Sequence, residues 1–281
     1  MRQKQTRRQF LQIAGIGAAV SLTGANSCLG QDQSKLTGKR LFHLGLASYT
    51  FRKFKLAETL IMTRRLGLEY IAFKSFHLPL ESTQAEIEAV AAEVKKAGLK
   101  LYGGGVIYMN NEAEVHRAFE YAKHAGMTTI IAVPQPELLM LVNKKVQEYD
   151  IKVAIHNHGP EDKLYPTPGS AYERINGLDR RIGLCIDIGH TQRAGEDPSE
   201  AAEKFADRLL DVHIKDVSAS TVEGKTVEMG RGVIDIPRFV KTLLKINYAA
   251  VVSFEYEKDE RDPLPGVAES VGYVRGVLAT I

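Results

Sequence analysis

Eight short apolar runs recur from residue 42 onward: FHLGLAS (42–48), EYIAFKS (69–75), LKLYGGGVI (99–107), TTIIAVP (128–134), KVAIHNH (152–158), IGLCIDIGH (182–190), LLDVHIKD (209–216) and AAVVSFEYE (249–257). They are rich in Val, Ile and Leu and nearly continuous in apolar character, the pattern of strands buried on both faces. Such strands need cover, and the segments between them supply it. Residues 57–66, 84–97, 112–125 and 137–149 carry apolar side chains at three- and four-residue spacing. Further helices are predicted at 199–207, 236–246 and 266–279, with a weak one at 171–177. Ser82-Thr83 before Glu86 and Asp197-Pro198-Ser199 before Glu200 read as helix caps.

Eight strand-then-helix units in about 240 residues predict an α/β chain folded as one (β/α)8 TIM barrel over 41–281. A doubly wound open sheet is the main rival, but no Gly-x-Gly-x-x-Gly turn follows the first run. No linker or second domain is visible.

The N-terminus stands apart. Arg7-Arg8 and Phe10-Leu11 precede an apolar stretch from residue 13 to 25, and small residues follow. A basic head, a short apolar middle and a small-residue boundary describe an export signal over 1–30, here with a twin-arginine motif for moving folded proteins. Residues 31–40 are a polar leader, and the expected location is the periplasm or beyond. The apolar stretch is short for a membrane span. Cys28 is a candidate lipid anchor at the signal boundary, although Ala25-Asn26-Ser27 makes a poor acylation site. Residues 1–30 hold Arg2, Lys4, Arg7 and Arg8 and no acid; without those four, 33 basic residues face 34 acidic ones. That net charge of −1 leaves no electrostatic footprint for nucleic acid. With only Cys28 and Cys185, no disulfide framework is expected.

In a barrel the active site lies at the C-terminal ends of the strands. Titratable residues collect there. The second run ends in Lys74 with His77 just beyond, and the fifth in His156 and His158. The sixth ends in Asp187 and His190, the seventh in His213, Lys215 and Asp216, and the eighth in Glu255 and Glu257. On four consecutive strands, His156, Asp187, His213 and Glu255 are expected to converge. Two imidazoles and two carboxylates suit one divalent ion of the Mn, Co, Fe or Zn group. Glu257 is the register rival of Glu255, since both fall on the same strand face. Lys74 is a candidate base or enolate stabiliser, His77 a substrate contact, and Lys215 a substrate contact or a partner for Asp216. Glycines at 103–105 are expected to leave room at the barrel mouth, with Tyr108 beyond them to meet a ligand. Arg231 in MGRGVID (229–235) could reach a polar substrate, and PEDKLYPTPG (160–169) could cover the site.

The chain resembles the xylose isomerase-like TIM-barrel superfamily, the sugar phosphate isomerase/epimerase group, across essentially all of 40–281. CIDIGH (185–190), DVHIKD (211–216) and SFEY (253–256) carry the resemblance. It implies metal ligands at Asp187, His213 and Glu255, with His190 close to the substrate. The family usually reads Glu-Asn-His at the end of strand five, where this chain reads His156-Asn157-His158. Histidine can replace glutamate as a ligand but not as an equivalent base. The paired-carboxylate 3-epimerisation of related enzymes therefore does not transfer, and His158 becomes a substrate or supporting contact. An endonuclease IV-like hydrolase would need a richer cluster for three zinc ions. The expectation is an exported, metal-dependent sugar isomerase or epimerase acting by proton abstraction beside a bound carbonyl. Glu255, Lys74 and His190 would move protons, and a keto-sugar lyase or dehydratase is the special case. The alternative is an exported carbohydrate-binding barrel without turnover.

Overall fold

The computed structural model describes residues 42–281. The predicted export signal, the polar leader and Cys28 lie outside the described residues. Eight parallel strands close into a barrel: β1 (His43–Ala47), β2 (Tyr70–Phe73), β3 (Lys100–Met109), β4 (Thr129–Pro134), β5 (Lys152–His156), β6 (Ile182–Asp187), β7 (Leu209–Ile214) and β8 (Val251–Phe254). Neighbours in sequence are neighbours in the ring, and β1 pairs with both β2 and β8 to close it. Seven of the strands fall within the apolar runs, and β3 overruns its own by two residues, to Met109.

The helices are α1 (Leu56–Arg65), α2 (Gln84–Lys96), α3 (Glu112–His124), α4 (Leu139–Tyr149), α5 (Pro168–Arg174), α6 (Ile188–Arg193), α7 (Pro198–Lys204), α8 (Ile236–Lys245) and α9 (Leu264–Leu278). The expected caps form. The Thr83 and Glu86 side chains accept from each other's backbone N–H groups, and Asp197 Oδ1 accepts from the N–H groups of Ser199 and Glu200. The weak helix of 171–177 lies slightly earlier, where Thr167 caps it and Pro168 takes its first position.

Two local readings change. The run 182–190 is not strand throughout: β6 stops at Asp187, whose Oδ1 accepts the His190 N–H at 2.9 Å and starts α6. The glycines at 103–105 do not open the mouth. They lie inside β3, and a Cβ at Gly105 would stand 2.1 Å from the Ile131 carbonyl oxygen. They let β3 press against β4 where its register slips.

Apolar side chains fill two regions. The large one lies between strands and helices and includes the fully buried Phe51, Phe73, Phe119, Phe239 and Phe254. The small one is the barrel interior, built from Ala72, Tyr102, Ile131, Ala154, Cys185 and Val251. Side chains alternate along a strand, so residues two places on from Ala154, Cys185, Asp211 and Ser253 form the next layer toward the C-terminal mouth. That layer is His156, Asp187, His213 and Glu255. No helix among the described residues is long and apolar enough to cross a membrane.

Candidate metal centre and active site

The last residues of β5 and β6, His213 of β7 and the residue just after β8 bring four donors together. His156 Nε2 lies 3.1 Å from His213 Nδ1 and 3.5 Å from Asp187 Oδ2. His213 Nδ1 lies 3.4 Å from Glu255 Oε2 and 4.0 Å from Asp187 Oδ2. One ligand atom from each of the four falls within 4.8 Å of the others, and all four residues are buried. Two ligands about 2.0–2.2 Å from one ion can stand up to about 4.4 Å apart, so the four pair separations of 3.1–4.0 Å suit a shared ion. The donor set also suits it: two neutral imidazoles and two carboxylates balance a divalent charge. Asp187 Oδ2 is buried and accepts no directed hydrogen bond, although the Lys215 ammonium lies 2.9 Å away. The far ring nitrogens, His156 Nδ1 and His213 Nε2, also lack hydrogen bonds. Unspent buried polar atoms are uncommon in native proteins; three occur on these four residues, and of them Asp187 Oδ2 faces the other donors.

Lys215 is the central cation. Its Nζ lies 2.7 Å from Glu255 Oε2 and also pairs with Glu257. Burial opposes its charge, but the carboxylates of Asp187, Glu255 and Glu257 outweigh that and push its pKa well up. Burial likewise opposes ionisation of Asp187 and Glu255. The Lys215 ammonium overcomes it and holds both carboxyls well below their usual range. Burial keeps the His156 imidazole neutral, the form that offers a lone pair. His213 moves the other way: burial lowers its pKa, but Glu255 and the neighbouring carboxylates raise it.

Other predicted groups stand at the rim. The His158 ring packs 4.4 Å from His156 and 5.8 Å from Tyr108, whose hydroxyl lies 3.5 Å from His158 Nε2. Burial and the nearby His190 bring the His158 pKa down to about 4. His190 packs edge-on to His156 at 6.0 Å, and burial holds its pKa below the ordinary value. Lys74 sits over the Tyr49 ring at 5.5 Å. Burial lowers its pKa, and the Lys215 charge adds to that against the pull of Glu255. Beside these groups a cavity of about 590 Å3 is lined by His190, Arg193, Lys215, Glu257, Lys225 and Lys258, among others.

Three expectations are corrected. His77 is no substrate contact: Nδ1 bonds Ser48 Oγ at 2.9 Å, and Nε2 meets Thr59 Oγ1 at 2.9 Å and the Phe54 carbonyl at 3.1 Å. Arg231 turns to the outside, where its guanidinium clamps Glu269 through two 2.7 Å bonds. Lys215 does not neutralise Asp216. That buried carboxylate accepts from the N–H groups of Gly230, Gly232 and Ile234, so it ties down the MGRGVID loop. A Cβ at Gly232 would fall 2.2 Å from Asp216 Oδ1, which explains the glycine. The 160–169 loop is anchored by Tyr165, fully buried, whose hydroxyl donates to the Pro134 carbonyl at 2.8 Å.

The sequence reading overlooked two buried polar residues. Asn157, the middle of His-Asn-His, accepts the Asp187 N–H at 3.0 Å and donates to Thr191 Oγ1 at 3.1 Å, bracing β5 against the start of α6. Asp211 lies one layer below the donors and accepts from Tyr102 Oη at 3.2 Å; burial raises its pKa to about 6.

Known proteins share this architecture. The chain is 30% identical over 155 residues to an inosose dehydratase of Clostridium beijerinckii, covering 47% of each chain. It is 24% identical over 145 residues to the rhizopine catabolism protein MocC of Rhizobium meliloti, covering 46% of this chain and 44% of that one. It therefore matches a little under half the length of these curated relatives. The structure of 3-keto-D-glucoside 4-epimerase from E. coli superimposes with a TM-score of 0.69 at 18% identity, over 84% of this chain and 99% of that one. The model of the xylose isomerase-like TIM barrel matches residues 62–277. With the closed barrel and its strand-end cluster, that match places the chain in the xylose isomerase-like TIM barrel family.

Proposed function

We propose that this chain is a metal-dependent enzyme acting on a keto-sugar or keto-cyclitol, and that its reaction is elimination rather than two-base epimerisation. The observation that carries the reading is the convergence of one ligand atom each from His156, Asp187, His213 and Glu255. These residues would hold one divalent ion. Such an ion supplies a Lewis acid that polarises a carbonyl and makes the neighbouring C–H acidic.

The chain's own residues then divide the work. Glu255 is a weak base, because Lys215 and His213 both hold its carboxylate. His156 cannot stand in for the second carboxylate of an epimerase pair. Lys74 is the better base: burial favours its neutral amine, and its contact is an aromatic face rather than an acid. Lys74 holds the abstracted proton as its ammonium and can return it to the leaving hydroxyl, which departs as water, while His190, neutral and beside His156, is placed to hydrogen-bond that hydroxyl. One base that gives its proton back suffices for β-elimination. The dehydratases among the relatives support this direction. The N-terminal sequence supports export, so the substrate is proposed to be non-phosphorylated.

The test is proton NMR in D2O with inosose and 3-keto-glucose as substrates, with Mn(II) or Co(II) added. The expected result is an unsaturated ketone, formed only with metal and slowed about 10²–10⁴-fold by Lys74→Met. Deuterium exchange with epimer formation and no olefinic product would overturn elimination. Turnover unaffected by chelator would overturn the metal.

A further inference from the structure

Beneath the four donors the barrel interior is polar on one side, and Asp211 is its centre. It lies two residues before His213 on β7, so both side chains enter the barrel on the same face, one layer apart. Its carboxylate is fully buried. Tyr102 Oη donates to it at 3.2 Å from Oδ1 and 3.4 Å from Oδ2, and the Cys185 thiol lies 3.5 Å from Oδ2. The Tyr102 hydroxyl is itself 2.6 Å from Ser253 Oγ. Two strands besides β7 thus supply groups that meet the carboxylate, and a third, β8, braces Tyr102 through Ser253. None of these partners carries a positive charge, and a buried carboxylate without a cation is costly.

The basic group within ion-pair range among the described residues is His213. Its Nε2 lies 3.8 Å from Asp211 Oδ2, buried and without a hydrogen bond. Its Nδ1 faces the other donors. We infer that Asp211 is a positioning residue for the metal centre: it takes the Nε2–H of His213 and thereby fixes the tautomer that leaves Nδ1 as a lone pair toward the ion. The remaining gap closes by under about 1 Å when the imidazole donates. Tyr102, Ser253 and Cys185 keep the carboxylate from turning away. A ligating imidazole usually gives its second N–H to such a partner, which orients the ring and raises its basicity. This inference rests on the metal reading above.

The experiment is Co(II) affinity by competition with a chromophoric chelator, beside nitrogen-15 NMR of the His213 tautomer in metal-free protein. Asp211→Asn keeps the shape and the Tyr102 bond and removes the charge. It should weaken Co(II) about 10–100-fold. It should also convert a single Nε2–H tautomer of His213 into a mixture, a change that a merely structural Asp211 would not produce. Tyr102→Phe leaves the carboxylate but removes its main anchor. It should weaken Co(II) several-fold, and it serves as the test if Asp211→Asn does not fold. Equal Co(II) affinity in wild type and variants would overturn this inference alone. Failure of the wild type to take up Co(II) would sink the metal reading and this inference with it.

Discussion

The two halves of the barrel mouth carry similar residues and use them differently. On the β1–β4 side, His77 has both ring nitrogens engaged by Ser48, Thr59 and a carbonyl, and Ser48 also accepts the Lys74 N–H. On the β5–β8 side, His156, Asp187 and His213 each keep a buried polar atom without a hydrogen bond. A histidine past a strand end is present on both sides. What separates them is whether the protein has already consumed its donors and acceptors. Lys74 is the exception on the first side, since its Nζ lies over the Tyr49 ring and forms no ion pair within 4 Å among the described residues.

The sharpest way to break this comparison is to remove the charge of one unspent donor. Asp187→Asn retains the oxygen that caps α6 but loses the anion facing the other ligands. Metal content measured by elemental mass spectrometry should fall from about one ion per chain to under about a tenth, with the circular dichroism spectrum unchanged. His156→Ala removes a neutral donor and should lower occupancy less. Full metal content in Asp187→Asn would mean that the β5–β8 cluster is no more a site than His77 is.

Much of this arrangement was legible in the chain because barrel strands announce themselves. Eight buried runs give eight strands, and their C-terminal residues give the mouth. His156, Asp187, His213 and Glu255 are among the titratable residues at those ends, and the resemblance carried by CIDIGH, DVHIKD and SFEY singles out the last three. Glu257 was harder, because strand alternation puts it on the same face as Glu255; the structure gives it to Lys215 instead. Asp211 had a signal that went unread: stepping back two residues from each ligand gives Ala154, Cys185, Asp211 and Ser253, the layer below. The fates of His77 and Arg231 could not be read from the sequence. Their partners, Thr59 and Glu269, lie on other elements and carry no local pattern. The Asp216 turn was similarly hidden, since its partners are backbone N–H groups contributed by 14 to 18 residues downstream.

The same comparison predicts an opposite response on the satisfied side. His77→Ala leaves Ser48 and Thr59 short of a buried partner and opens a hole beside Phe73, whose ring lies 5.9 Å away. The barrel should lose about 2–3 kcal/mol in urea denaturation while metal content stays at its wild-type value. Loss of metal without loss of stability would place His77 in the functional half.

Glu228 gives the smallest and most specific test, because it is a buried carboxylate whose partners are all protein groups. Lys258 Nζ donates to Oε1 at 2.8 Å and Tyr256 Oη at 2.7 Å. The Lys258 bond leads the causes that lower its pKa to about 2, from an ordinary value of 4.5. Between those limits the unfolded chain binds more protons than the folded one, so stability falls as pH drops from about 4.5 toward 2 and is fully present above that window. Lys258 is two-fifths exposed, so solvent screening holds the effect to about 1–2 kcal/mol. Glu228→Gln removes the titration. The stability gap between wild type and variant, measured by denaturation from pH 6 to about 2.5, should narrow as pH falls. A gap that stays constant would mean that Glu228 holds the loop by hydrogen bonding alone. A satisfied carboxylate thus reports on folding and leaves metal binding unchanged, the reverse of what Asp187 reports.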